Sequence, residues 1–326
     1  MLTLRRLGTV GARKAIIVGC GVSGLSSAIR LLEAGLRVEL WTRDLPPRTT
    51  SSVAGAIWYP FKAAPPESVA RWSRESYFEY ERLARTPDSG VTMRRGIEIL
   101  PPGQPDESAE IRAVARGLRP LGRAELPQGF DRGFEYAAPV IEMPIFLDWA
   151  LRRVEALGGS VRERTLASFD EALAECALVV NCTGLASREL AGDREVVALR
   201  GQVVRVERAG IDRFVLDDFD PRGLTYVFPR SRDCVLGGTV EPGREELVPD
   251  EAATVAIVAR CKSLAPELAD ARVLSVAVGL RPGRSAVRLE RVSPAPGQTL
   301  IHNYGHGGAG VTLAWGCAAD VQSLAT

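Results

Sequence analysis

Gly19-Cys20-Gly21-Val22-Ser23-Gly24 has the spacing GxGxxG, a pattern suited to holding a phosphate against backbone. Gly19 permits a tight turn, Gly21 lets the chain approach a pyrophosphate, and Gly24 lets a helix pack closely on a strand. A second glycine-rich run, Gly305-His306-Gly307-Gly308-Ala309-Gly310, lies near the other end. Between them, Asn181-Cys182-Thr183-Gly184 closes an apolar run with a small, sharp exit. Arg281, in GLRP, carries a planar cation that can take a carboxylate through two charge-assisted hydrogen bonds. His302 and His306 are the two histidines. A pair four apart could hold a metal or act as a base, but these flank a glycine turn instead of sharing a helix face, which points to a structural or cofactor-contact role. The six cysteines show no C-x-x-C pair, so no metal site is expected. Cys20, Cys176, Cys182 and Cys317 sit in apolar surroundings, where buried free thiols are the default, although a disulfide stays open.

The elements that must position these residues are legible nearby. KAIIV (Lys14–Val18) reads as a buried strand, and Leu25, Ala28, Ile29 and Leu32 recur at helical spacing up to Gly35. Strand, glycine turn and helix together make GxGxxG informative, and the helix start offers unpaired N–H groups and a positive dipole end. LRVELW (Leu36–Trp41) alternates as a second strand. Asp44 then stands where a ribose hydroxyl is usually held, while neighbouring Arg43 could instead serve a phosphate, so this position does not choose the cofactor. TLIHN, the glycine turn and VTLAWGCAADV repeat the strand–turn–helix plan at the far end. Two glycine-lined helix starts suit FAD better than NAD, because an isoalloxazine must lie against backbone and its carbonyl oxygens accept from helix N–H groups. Pro46–Phe61 is a loop carrying Thr49, Thr50, Ser51 and Ser52, with Gly55 and Ala56 small enough for a flat ring. By itself it would read as a polar loop before an aromatic patch of Trp58, Tyr59 and Phe61.

The remaining pattern gives helices over 67–84, 145–159 and 250–264, strands at MRRGIEIL, GQVVRV, YVFP and CVLGGT, and a turn cluster at PPGQPDESAE. The expected fold class is mixed α/β (α+β): a Rossmann-like FAD-binding domain with an interleaved antiparallel-sheet substrate domain. The first is expected to use residues 1–60, 138–190 and 270–326, the second residues 61–137 and 191–269. At 326 residues the chain is long for one core. Its net charge of +1 gives no general attraction to nucleic acid or membrane. No apolar run reaches spanning length, residues 1–13 lack a signal-peptide core and read as a loose extension, and SLAT is no peroxisomal address. A cytoplasmic location is the default expectation.

GCGVSGL, VVNCTG, GLRPGR…VRLE and above all IHNYGHGGAGVT resemble the D-amino-acid oxidase family, the group that also includes D-aspartate oxidase, from about Lys14 to about Val321. The resemblance implies FAD as cofactor, a D-amino acid and dioxygen as reactants, and hydride transfer from the substrate Cα to flavin N5, giving a 2-oxo acid, ammonia and hydrogen peroxide. It implies that Arg281 and Tyr226 bind the substrate carboxylate and that the Gly308 carbonyl accepts from the amine. For the cofactor it implies Val22 and Ser23 at the pyrophosphate, Arg43 and Asp44 by the adenosine, and Thr50 and Ser51 by the phosphates. Gly55, Ala56 and Ile57 would lie by the ring, the Leu166 backbone at the adenine, and Gly307, Gly308, Gly310, Val311 and Thr312 at the pyrimidine side. RGLTYVFP is shorter than in mammalian members and lacks their extra tyrosine, so a long lid is not expected. Leu216 and Val240 stand where D-aspartate oxidases carry arginines, which favours neutral, apolar D-amino acids; Arg230 and Arg232 lie close enough in sequence to leave acidic substrates open. A homodimer is the family default. A related flavin amine oxidase acting on glycine, sarcosine or D-aspartate, and a flavin binder without turnover, remain alternatives.

Overall fold

The computed structural model describes residues 13–60, 62–100 and 109–326; the N-terminal extension, Phe61 and most of the turn cluster after Leu100 lie outside the described residues. Among those described, fifteen strands form two sheets. The first contains β1 (Lys14–Val18), β2 (Arg37–Thr42), β6 (Ser160–Glu163), β7 (Leu178–Asn181), β14 (Arg288–Val292) and β15 (Thr299–Tyr304), in the order β14-β15-β7-β1-β2-β6. All pairs are parallel except β14–β15. Parallel strands need both faces covered. Helices α1 (Val22–Glu33), α4 (Met143–Ala156) and α8 (Gly310–Ala325) share one apolar cluster with β1, β2, β7 and β15. The short α5 (Asp170–Glu175) helps close the other face over Trp41, Val18 and Leu300. In α1, Leu25, Ala28, Ile29, Leu31 and Leu32 are all buried; truncating Leu25 to alanine would cost about 2–5 kcal/mol.

β2 and β7 lie on opposite sides of β1, so the strand order reverses at the carboxyl end of β1, where open α/β sheets bind ligands. Trp41, Val18, Asn181 and His302 form one row across the carboxyl ends of β2, β1, β7 and β15.

The second sheet is built from β3 (Val91–Ile99), β4 (Arg116–Pro120), β5 (Gly133–Ile141), β8 (Val197–Glu207), β9 (Phe214–Asp217), β10 (Thr225–Pro229), β11 (Asp233–Gly237), β12 (Glu241–Pro242) and β13 (Val273–Gly283). It is antiparallel apart from the parallel β3–β9 pair. Its strands alternate faces as a two-sided sheet must. Val203, Leu216, Tyr226, Phe228 and Val235 join Ile57, Trp58 and Tyr136 on one face. Val204, Val206, Val227, Cys234 and Leu236 meet α7 (Glu251–Leu264) on the other.

Sheet membership departs from the expected segments at two places. The boundary at 138 falls inside β5, and β13 follows the boundary at 270 yet pairs with β8 along nearly its whole length. The helix expected over 67–84, α2 (Pro66–Leu83), packs on α8, with Trp72 against Leu313 and Cys317. After Gly159 the edge strand β6 is only four residues long. Helices α3 (Ala109–Val114) and α6 (Ser187–Leu190) are short connectors. All six cysteines are buried and free, which closes the disulfide alternative.

Candidate active site

The glycine turn after β1 is a backbone crossing with no room for side chains. Gly19 has φ +112°, and a Cβ there would stand 2.4 Å from the Cys182 carbonyl oxygen. A Cβ on Gly24 would stand 2.0 Å from the Gly19 carbonyl oxygen. Both neighbours are backbone, so neither can give way, and the two glycine-bearing turns, after β1 and after β7, close on one another. The first intrahelical bond of α1 runs from Leu25 N–H to Gly21 O at 3.0 Å, which leaves the preceding N–H groups aimed out of the helix start. Val22 N–H donates to Ser51 Oγ (3.0 Å), and a Cβ on Gly21 would meet that same Oγ at 3.0 Å. Thr50–Val53 form a single 3-10 turn, so Ser51 is held over the helix start. A bare backbone, free N–H groups and a hydroxyl in one place fit a pyrophosphate.

Arg43 and Asp44 follow β2 and lie at the expected edge. Arg43 is 68% exposed and its Nε donates to Asp44 Oδ2 at 2.7 Å. Leu166 follows β6 and is buried against the Trp41 cluster on the same edge.

At the other end of the chain, β15 runs into a 3-10 turn at Gly307–Ala309 and then α8. Gly307 has φ +54° and Gly308 is exposed. The histidines flanking this turn are fixed by amides. His306 Nε2 lies 3.1 Å from Asn303 Oδ1, while Asn303 Nδ2 donates to Ser27 Oγ at 3.2 Å; an amide oxygen only accepts, so Nε2 carries the proton. Asn181 Nδ2 donates to His302 Nδ1 at 3.2 Å. Burial pushes both imidazoles down to about 4. Among the described residues no cluster could hold a metal ion. The Thr312 hydroxyl donates to Tyr59 O (2.8 Å) and accepts from Tyr59 N–H (3.1 Å), so its side chain ties α8 to the aromatic patch.

The second sheet supplies the facing wall. Ala277, Val203, Gly237, Tyr226 and Leu216 form a cross-strand row over β13, β8, β11, β10 and β9. Tyr226 lies across Gly237: a Cβ on that glycine would be 1.8 Å from Tyr226 Cζ. Arg281 lies in the same way across Gly201, where a Cβ would be 2.0 Å from Arg281 Nη1. Two strand glycines thus make a floor on which the guanidinium and the phenol can lie flat. Phe228 stacks on Tyr226 with centroids 4.2 Å apart. Burial pushes the Tyr226 phenol up to about 12, with the nearby Arg281 charge opposing. Arg281 Nη1 donates to Thr239 O at 3.1 Å, and among the described residues Arg281 has no ion pair. On the nucleotide side, a Cβ on Gly55 would be 3.1 Å from the Tyr226 hydroxyl, so the loop Gly55–Ile57 joins Ser51 to the tyrosine. β13 packs against all three turns that end first-sheet strands or their loops: Thr50–Val53, Gly184–Ala186 and Gly307–Ala309. The strand that carries Arg281 is therefore where the two sheets meet.

The sequence reading named Arg281, Tyr226 and the glycine turns, and these are brought together. It missed Gly201 and Gly237, since a lone glycine in a strand carries no fingerprint until its cross-strand neighbour is known. Leu216 stands beside Tyr226 and is buried, whereas Val240 is 43% exposed. Arg230 is committed to Asp233, with Nε–Oδ1 at 2.6 Å, both buried, and Arg232 is exposed.

The family model described as "DAO: FAD dependent oxidoreductase" matches residues 14–324. Curated D-amino-acid oxidases from Rubrobacter xylanophilus and Streptomyces coelicolor are 48% and 44% identical to this chain, over 98% and 96% of it and 97% of each relative. D-aspartate oxidase from Homo sapiens is 34% identical over 94% of this chain and 93% of its own. Among solved structures, glycine oxidase from Geobacillus kaustophilus superposes with a TM-score of 0.78 at 17% identity, covering 96% of this chain and 95% of that one; at that identity the likeness shows the fold.

Proposed function

This chain belongs to the FAD dependent oxidoreductase family, and from that membership we propose that it is a D-amino-acid oxidase. The observation that carries the reading is Arg281, without an ion pair among the described residues, lying beside the Tyr226 phenol on a floor of two glycines. A cation so placed is a seat for a small carboxylate.

FAD, when bound, supplies a hydride acceptor at N5 and passes the electrons to dioxygen, with hydrogen peroxide as the product. The residues that would hold it are Gly19, Gly21, Val22, Ser23, Gly24, Thr50 and Ser51 at the phosphates, with Arg43, Asp44 and the Leu166 backbone toward the adenosine. Gly55, Ala56, Ile57, Gly307, Gly308, Gly310, Val311 and Thr312 would face the ring.

Arg281 takes the substrate carboxylate through two N–H···O bonds, and the Tyr226 O–H donates a third. The Gly308 carbonyl accepts from the amine. Three fixed points hold the Cα–H in one direction, so the chain contributes mainly orientation. With the amine bound uncharged, hydride leaves Cα and an imino acid forms, which water hydrolyses to a 2-oxo acid and ammonia. No side-chain base is needed, and the depressed histidines, both tied to amides, are not arranged to act as one. Leu216 beside Tyr226, and Ile57 and Phe228 in the same cluster, favour neutral, apolar side chains. A homodimer in the cytoplasm completes the reading; among the described residues no helix is long and apolar enough to cross a membrane. The test is a peroxide assay over D-alanine, D-valine, D-aspartate, glycine and sarcosine, with L-isomers as controls. Turnover of the apolar D-isomers is expected; activity confined to glycine and sarcosine, or to L-isomers, would overturn the assignment.

A further inference from the structure

We propose that Arg260, on the outer helix α7, is a positioning residue for the substrate carboxylate site: from the far face of the second sheet it locks the strand pair that carries Tyr226. The inference rests on the carboxylate reading above.

Arg260 is only 7% exposed, yet among the described residues no carboxylate pairs with it. Its partners are neutral oxygens. Nε donates to Thr225 Oγ1 at 3.1 Å, and Nη2 donates to Gly238 O at 3.2 Å and, at the limit of a bond, to Leu224 O at 3.5 Å. These oxygens bracket the tyrosine. Thr225 precedes Tyr226 on β10, and Gly238 follows Gly237, the cross-strand partner beneath the phenol ring. Gly238 N–H donates to Leu224 O at 2.6 Å, so strand exit, turn and guanidinium share one knot. The single Thr225 hydroxyl proton is shared between Asp220 Oδ2 (3.1 Å) and Gly223 O (2.9 Å), which extends the knot into the turn ahead of β10. Gly223 has φ +127°, a backbone conformation that L side chains rarely adopt, and packs against the guanidinium, its Cβ position 3.5 Å from Arg260 Cζ. Next along the helix, Cys261 Sγ–H donates to Tyr226 O at 3.3 Å.

Burying a cation is costly unless its donors are satisfied. The neighbours of Arg260 on α7, namely Ile257, Cys261 and Leu264, show that a purely apolar contact was available at this face. What the guanidinium adds is direction: one rigid fork fixes Thr225 and Gly238 relative to one another. The Gly237–Gly238 segment is also the part of the floor nearest the phenol hydroxyl, since a Cβ on Gly238 would be 3.3 Å from Tyr226 Oη. A shift of that segment moves the hydroxyl against Arg281 without touching either side chain directly.

The test compares Arg260→Met with wild type and with Lys262→Met, which removes a half-buried cation on the same helix whose Nζ donates to Ala269 O, away from the Thr225–Gly238 knot. FAD content, melting temperature, kcat and KM for D-alanine, and the Kd of propanoate, read from the flavin difference spectrum, are measured on each holoenzyme. Arg260→Met is expected to raise both KM and the propanoate Kd about tenfold, with FAD retained and kcat changed less than about twofold. Lys262→Met is expected to match wild type. A lower melting temperature with KM and Kd unmoved would make Arg260 structural only and overturn the proposal. Should Arg260→Met not fold, Thr225→Val cuts the same link from the strand side and is read by the same criteria. A wild-type holoenzyme that binds no propanoate and oxidises no D-amino acid would refute the carboxylate reading itself, and this inference with it.

Discussion

Arg281 and Tyr226 owe their arrangement to the residues that are not there. Each side chain lies over a glycine of the adjoining strand, and a Cβ at Gly201 or Gly237 would stand about two ångströms or less from it. Gly237→Ala is therefore expected to push the phenol out of line and to lower kcat/KM at least tenfold while FAD stays bound, as steady-state kinetics and the flavin spectrum will show. Arg281→Ala removes the carboxylate partner outright. The loss of two charge-assisted bonds, about 3 kcal/mol or more, corresponds to a fall in kcat/KM of at least about a hundredfold. Unchanged kinetics in that variant would move the carboxylate elsewhere.

The strand–turn–helix units at the two ends position everything else. Their signals are local, and for that reason they are legible in sequence: a β-branched run, glycines at fixed offsets, then apolar residues at helical spacing. The Gly24 contact on the Gly19 carbonyl is backbone against backbone, so Gly24→Ala should destabilise the fold by about 1–3 kcal/mol and release FAD, measured as flavin-to-protein ratio after gel filtration. The second sheet was less legible. β9, β10 and β11 are local antiparallel neighbours, but β3 pairs with β9 and β8 with β13 over long sequence separations, and β13 gives no local hint that it will lie on β8 while touching three turns of the first sheet. Gly201, Gly237 and Arg260 share that difficulty, because each acquires its meaning from a neighbour on another element. Val240, two residues past Gly238, is 43% exposed and directly follows Thr239, whose carbonyl oxygen accepts from Arg281.

At the scale of the whole molecule, burying two neutral histidines at the seam of the fold sets an acid limit. Burial depresses His302 and His306 from 6.5 to about 4, so the unfolded chain takes up protons that the fold refuses. The associated stability is fully present above pH 6.5 and is lost as pH falls toward 4, by up to about 3 kcal/mol for a fully buried imidazole. Melting temperature should fall steadily across that window, and His306→Gln should flatten the profile; a profile level from pH 7 to 4.5 would contradict the buried neutral state. The meeting of the two sheets along β13 also means that cofactor side and substrate side are built as one seam, with Arg281 on the strand between them. The most direct test of that seam is anaerobic addition of D-alanine to the holoenzyme while the visible flavin absorbance is followed. The account predicts bleaching by D-alanine and none by L-alanine; a flavin that stays oxidised with every D-amino acid tried would contradict it.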